Sequence, residues 1–208
     1  MKLAYVLLLI SAIVLVTGCA DSSPAPDPTA DGGNAGSGNS TANVPEQDAV
    51  VRVVIQPGPD AQTEAQEALV LAEPGDVIEF SEGTFEFDGT LSLDGVNDVT
   101  IHGKGMEKTI LNFAKLGAGK GGEGLKIKSS KFLLEDLTIE DTPGDAIKLQ
   151  DCEGLTIRRV RTWWTGGPDA ANGAYGLYPV MCSNVLIEHC VAECAGCRLA
   201  RARVYAAN

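Results

Sequence analysis

Between Leu125 and Ala192 the chain says the same thing three times. Leu125-Lys126-Ile127 is followed by Phe132-Leu133-Leu134 and Leu137-Thr138-Ile139. Ile147-Lys148-Leu149 is followed by Leu155-Thr156-Ile157 and Val160-Arg161-Thr162. Leu177-Tyr178-Pro179 is followed by Val185-Leu186-Ile187 and Cys190-Val191-Ala192. Each line reads as three short strands with apolar residues at alternate positions, the period of a strand with one buried face. The lines start 22 and then 30 residues apart, a period that marks a solenoid. No single line can bury its apolar face alone, so the lines must stack. Stacking in register puts Leu125, Ile147 and Leu177 in one column and Phe132, Leu155 and Val185 in another. The expected fold class is an all-β solenoid.

Earlier segments join the same scheme. Val50 to Ile55 reads as a strand ended by Pro57-Gly58-Pro59. Asp60 then opens a short helix with Ala61, Ala65, Ala68, Leu69 and Leu71 on its apolar face. Such a helix covers the open apolar end of a solenoid and blocks edge pairing. Ile78 and Phe80 with Phe85 and Phe87 make the first coil. Leu91, Leu93, Val99, Ile101, Ile110, Leu111 and Phe113 make the second.

The front of the chain is a targeting signal, expected over residues 1–18. Lys2 supplies a positive start, and Leu3 to Val16 is an apolar run too short to span a bilayer comfortably. Val16-Thr17-Gly18-Cys19 resembles the bacterial lipobox. That resemblance implies lipidation of Cys19 and a chain held on a membrane through its N-terminal lipid. With Ala20 after the cysteine, it further implies a lipid-anchored protein of the cell envelope at the outer membrane. Residues 19–48 are rich in Asp, Ser, Pro, Ala, Gly and Asn without apolar period, the composition of a disordered tether. The folded domain is expected over residues 49–194. A formal charge of −12 argues against nucleic acid as a partner. A monomer is expected.

Pro74-Gly75-Asp76-Val77-Ile78, Gly83-Thr84-Phe85 and Val99-Thr100-Ile101-His102-Gly103-Lys104-Gly105 resemble the opening of right-handed parallel β-helix proteins of the pectin-lyase-like superfamily. Trp164-Thr165-Gly166-Gly167 and Asn172-Gly173-Ala174-Tyr175-Gly176-Leu177-Tyr178-Pro179-Val180 resemble a bacterial family of parallel β-helix repeat proteins. The resemblance spans roughly Val50 to Cys194 and implies a right-handed parallel β-helix with a short N-terminal capping α-helix. It says little about activity, because this fold hosts many chemistries. The coils are too long and irregular for the strict hexapeptide repeat of left-handed β-helices.

Threading the repeat aligns two-residue corners: Glu135-Asp136, Arg158-Arg159 and Glu188-His189. Arg158 should lie between Glu135 and Glu188, and Arg159 between Asp136 and His189. The favoured reading is a charge ladder that holds strand register. Pectate lyases often stack asparagines near such a corner, and none stands here.

Candidate binding residues fall in two groups. The insertion from Trp163 to Tyr175 holds both tryptophans, Trp163 and Trp164, with Asp169, Asn172 and Tyr175. Exposed indoles stack on sugar rings, and the polar residues can bond hydroxyls. The alternative is that the tryptophans fold back to cover the flank of a coil. The second group is the outward row Lys126, Lys148 and Tyr178, which either holds an anionic polysaccharide or is a solvated face. Two functions stay open: polysaccharide binding or processing, and a non-catalytic scaffold or interaction module.

No catalytic set emerges. The carboxylate cluster of calcium-dependent lyases is not matched in the outward row, and Asp141, Asp145 and Asp151 lack the motif of polygalacturonases. No metal site and no cofactor is expected. Cys190, Cys194 and Cys197 have the spacing of a cluster-binding motif, but the repeat turns Cys190 inward and the chain carries an export signal. Cys152 and Cys182 occupy equivalent turns of adjacent coils and are expected to form a disulfide. After Cys194 the pattern stops, and residues 195–208 form an atypical tail with three arginines among alanines. That tail suits either a thin helical cap or a shifted reading frame, and the expectation is a truncated product.

Overall fold

The computed structural model describes residues 51–116, 122–193 and 201–204. Cys19, the signal, the tether, Cys194 and Cys197 lie outside the described residues.

Strand β1 (Val51–Ile55) and helix α1 (Ala61–Val70) precede the coils. The first coil is β2 (Val77–Phe80), β3 (Gly83–Glu86) and β4 (Leu91–Asp94); the second is β5 (Thr100–His102), β6 (Thr109–Asn112) and β7 (Leu125–Lys128). The third holds β8 (Leu133–Glu140) and β9 (Ile147–Gln150), and the fourth β10 (Glu153–Trp163) and β11 (Leu177–Val180). The fifth starts with β12 (Ser183–Glu188) and β13 (Cys190–Glu193), and β14 (Arg201–Val204) follows.

Coil stacks on coil through parallel pairing. Leu91, Leu125, Ile147 and Leu177 stand in register across a four-stranded sheet ordered β11-β9-β7-β4. Ile101, Leu134, Ile157 and Ile187 do the same across a ten-stranded sheet. The chain is therefore a parallel β-helix, right-handed in the sense that nearly all parallel crossovers take. The alternation is obeyed in β7, where Leu125 and Ile127 are buried while Lys126 and Lys128 are exposed, and lapses in β11, where Pro179 is exposed.

The expected second and third strands of a coil merge into one long strand in β8 and β10. The corner survives there as a single bend with Asp136 (φ 59°) or Arg159 (φ 50°) in the left-handed region, while His189 (φ 53°) separates β12 from β13. Polar residues tolerate that conformation better than the β-branched residues around them. The long strand turns there without leaving the sheet.

Phe80, Phe85, Phe87 and Phe113 fill the core of the first coils, with Phe80–Phe85 and Phe87–Phe113 centroids each 5.2 Å apart. Beyond Phe132 the core is mostly aliphatic, through Leu134, Leu137, Ile139, Leu149 and Ile157, with Trp164 as its aromatic member.

Two local expectations need correction. Asp60 flanks α1 without a side-chain cap bond, and Leu71 is exposed while Ala72 is buried. Leu71 ends the helix, and the chain turns there, so the apolar face closes with Ala61, Ala65, Ala68 and Leu69. Residues 201–204 of the tail also differ from a helical cap. β14 runs back antiparallel along β13, pairing Cys190 with Val204 and Glu193 with Arg201. A reversed strand can satisfy the open backbone groups of a sheet edge whether or not it continues the repeat.

Candidate functional site

The outer face of the four-stranded sheet gathers the polar and aromatic residues of the repeat. Ser92, Lys126, Lys148 and Tyr178 form one row, each on the next strand in register. Two residues before each strand stands a second column: Glu123, Asp145 and Tyr175. Backbone bonds from Gly124 N–H to Asp145 O (3.1 Å) and from Ala146 N–H to Tyr175 O (2.9 Å) hold those turns in step. The columns touch. Tyr175 and Tyr178 stack with centroids 4.5 Å apart and planes 12° from parallel. Lys148 Nζ lies 6.0 Å from the centroid of Tyr178 and 3.6 Å from Glu123 Oε1. Asp145 Oδ1 accepts the Tyr175 N–H at 3.2 Å.

The two carboxyls of the second column are driven apart. Burial pushes Glu123 up, but the N–H groups of Glu123 and Gly122 and the charges of Lys148 and Lys126 outweigh it and hold it below the usual range. Asp145 is pushed up, first by burial and further by the charge of Glu123, against the pull of the Tyr175 N–H and Lys148. Beside the row, Ser92, Asp94, Lys126, Lys128 and Gln150 line a shallow groove of about 320 Å³.

Sequence reasoning named Lys126, Lys148, Tyr178 and Tyr175, and the structure brings these four onto one face. It missed Glu123 and left Asp145 unassigned. The signal was present: Gly-Glu-Gly-Leu, Gly-Asp-Ala-Ile and Ala-Tyr-Gly-Leu occupy the same place in three coils.

The insertion does not supply the indole platform expected of it. Trp164 is 3% exposed and belongs to the core. Its Nε1–H donates to Thr142 O at 2.7 Å, which satisfies the ring's one polar group and lets the indole bury. Gly173 lies against this ring, and a Cβ there would collide with Gly144 O. Trp163 stands on β10 in the other sheet, where the Arg161 guanidinium covers its ring at 3.9 Å. Asp169 Oδ1 accepts the Ala171 N–H at 2.8 Å, and Asn172 Nδ2 donates to Gly167 O at 2.8 Å. Both side chains brace the insertion's own backbone.

Cys152 and Cys182 are free thiols in this structure. Their side chains point the same way. Cys152 Sγ lies 3.2 Å from Gln150 O and Cys182 Sγ 3.3 Å from Val180 O. Cys190 is buried, as the repeat requires.

The large sheet carries the charge ladder, longer than its sequence reading. Glu79, His102, Glu135, Arg158 and Glu188 stand in register over five strands. Arg158 Nε donates to Glu135 Oε2 at 2.5 Å, and Arg159 bonds Asp136 Oδ1 at 2.6 Å and Glu135 Oε2 at 2.7 Å. Lys104 and His102 reach Glu79 at 2.6 Å and 3.0 Å. The hydrogen bond and charge of Arg159 hold Asp136 below the usual carboxylate range. His102, Glu135 and Asp136 are close enough to offer one ligand atom each to a metal ion. Both carboxylates are already committed to arginines, so an ion would have to displace two guanidinium groups. This ladder is a register device.

Fold and face together define a parallel β-helix with a lysine, carboxylate and tyrosine surface on its small sheet. No family model matches the chain, and no curated protein matches it. Among solved structures it is similar to a pectin methylesterase mutant in complex with a hexasaccharide, at 14% identity and a TM-score of 0.47. That match covers 68% of this chain and 54% of the other, so the chain spans about half the length of that structure.

Proposed function

We propose that this chain is a lipid-anchored protein of the cell envelope whose β-helix domain binds an acidic polysaccharide on the outer face of its small sheet. The observation that carries the reading is the parallel stack of Tyr175 on Tyr178, with Tyr175 49% exposed and Lys148 alongside. An aromatic face accepts the apolar side of a sugar ring. Lys126, Lys128 and Lys148 are placed to meet carboxylates, and Glu123 and Asp145 to accept hydroxyl protons. The anchor rests on the lipobox-like Val16-Thr17-Gly18-Cys19. Helix α1 acts as the end cap. Gln66 takes the Ser92 N–H at 2.9 Å and gives to Ser92 O at 3.0 Å, and Gln62 takes the Gly89 N–H at 3.3 Å. Two glutamines thereby stand in for a further strand along β4.

The rival reading is a non-catalytic scaffold, and the pairing of Lys148 with Glu123 favours it. Calorimetric titration of the full chain in detergent with polygalacturonate and with a neutral glucan separates the two. Binding of the acidic polymer that weakens about tenfold in Tyr178→Ala, roughly 1.4 kcal/mol, supports the face. No binding of either polymer leaves the scaffold.

A further inference from the structure

Cys152 and Cys182 sit where the small sheet hands over to the large one, in the turns that follow β9 and β11. Paired residues bracket them on both sides: Gln150 with Val180, and Glu153 with Ser183. The Ser183 N–H donates to Cys152 O at 3.0 Å, so the turns are in step at the cysteines themselves. One rung, about 4.8 Å, therefore separates their backbones. That lies inside the window of roughly 4.4–6.8 Å between the Cα atoms of a disulfide.

Cys152 Sγ rests on the coil beneath, 3.7 Å from Ile127 O, and Cys182 Sγ rests 3.6 Å from Leu149 O of its own coil beneath. A one-coil translation relates the two side chains. Closing the bond requires the sulfurs to turn from these carbonyls toward each other by rotation about χ1, with a small approach of the two turns. Each contact given up is a weak S–H donor bond.

We propose that Cys152 and Cys182 are a reversible redox pair whose disulfide ties the strand carrying Tyr178 to the strand carrying Lys148. Cys182 is partly exposed and Cys152 is buried, which sets the order of events. The Cys182 thiolate attacks the S–S bond of a small or protein disulfide oxidant, forming a mixed disulfide and releasing one thiolate. The Cys152 thiolate then attacks the Cys182 sulfur, closes the internal bond and expels the second. Two protein thiols give up two protons and two electrons, and the oxidant takes them as two thiols. Burial, and next to it the neighbouring Cys182, push the Cys152 thiol up, so closure quickens as the solution becomes more alkaline. The closed loop encloses β10, the insertion around Trp164, and β11.

The experiment treats the full chain in detergent with oxidised glutathione at alkaline pH, then maps non-reduced peptides by mass spectrometry and records thermal melts. The expected result is a peptide linking Cys152 to Cys182. A rise in Tm of about 5–10 °C should accompany it, the order given by closing a loop of this size in a domain of this size, and dithiothreitol should reverse it. Cys182→Ser and the more conservative Cys182→Ala should both fold and both lack the rise. Oxidised protein in which both thiols still alkylate after unfolding overturns the pair. So does linkage of either cysteine to Cys190, Cys194 or Cys197 instead. A linked peptide with unchanged Tm overturns the tie between the strands.

Discussion

Tyr175 and Tyr178 stack nearly parallel at 4.5 Å, although Tyr175 ends the insertion and Tyr178 lies within β11. Gly176 lies between the turn and the strand, and a Cβ there would press on the Thr162 side chain. The two rings extend the columns Glu123–Asp145 and Lys126–Lys148 by one coil and convert charge into an aromatic surface.

The stack makes a graded series possible. Tyr175→Phe should leave polysaccharide affinity nearly unchanged, because the ring does the packing. Tyr175→Ala should weaken it several-fold, and the double Tyr175→Ala/Tyr178→Ala variant by tenfold or more, about 1.4 kcal/mol or above. Equal losses in the Phe and Ala variants would show that the hydroxyl carries the effect instead. Calorimetric titration gives the comparison.

Trp164 should behave as a core residue. Trp164→Ala removes a buried ring and its bond to Thr142 O, a loss of about 3–5 kcal/mol in unfolding free energy. Trp164→Phe keeps most of the packing and leaves the Thr142 carbonyl without this donor, costing about 1–3 kcal/mol. Urea unfolding of both variants checks this. A loss under 1 kcal/mol in Trp164→Ala would contradict the burial.

Gln66 holds both backbone groups of Ser92 with one amide. Gln66→Ala should lower stability by about 1–2 kcal/mol, since the edge of β4 is only partly buried and water recovers some of the loss. Gln66→Glu keeps an acceptor for the N–H but gives nothing to the carbonyl, and should fall between the two. Amide hydrogen exchange at Ser92 should quicken in Gln66→Ala.

Glu140 is buried on the large sheet, and burial pushes its carboxyl up, with the charge of Asp141 adding and Asn112 opposing. A raised folded-state pKa means that the folded chain holds this proton more tightly than the unfolded chain. Ionised Glu140 therefore costs stability at neutral pH, and the cost disappears as pH falls below its unfolded value. Glu140→Gln should be more stable than wild type at pH 7, and the gain should shrink toward pH 4. Urea midpoints of the two proteins across that range test it. A difference independent of pH would rule out titration of this group.

The coil was legible because its cause is local. Period-two alternation within strands and recurrence between them follow from the pleat and from the need to bury one face, so Leu125, Ile147 and Leu177 could be aligned before any coordinates. The same threading placed Arg158 between Glu135 and Glu188, and the register agrees. Lys126 and Lys148 followed from the same alternation, since a residue between two buried neighbours must point outward, and Tyr178 followed from its register with Lys148.

What sequence could not decide was anything fixed by contacts outside the repeat. Whether Trp164 turned out to a sugar or in to the core depended on a free acceptor at Thr142 O and on the space left by Gly173, neither visible in a pattern. The corner residues read as turns between strands, yet one left-handed residue bends each long strand without breaking it. The stacked thiols shared a column by register alone, while their side-chain rotations were set by carbonyls of the coil beneath. Residues 201–204 lie past the break in the repeat and are still strand, because β13 offered open backbone groups to any chain that could reach them. Local periodicity settles which residues share a face; long-range packing settles which way a loop folds, and here that decided which aromatic rings face the solvent.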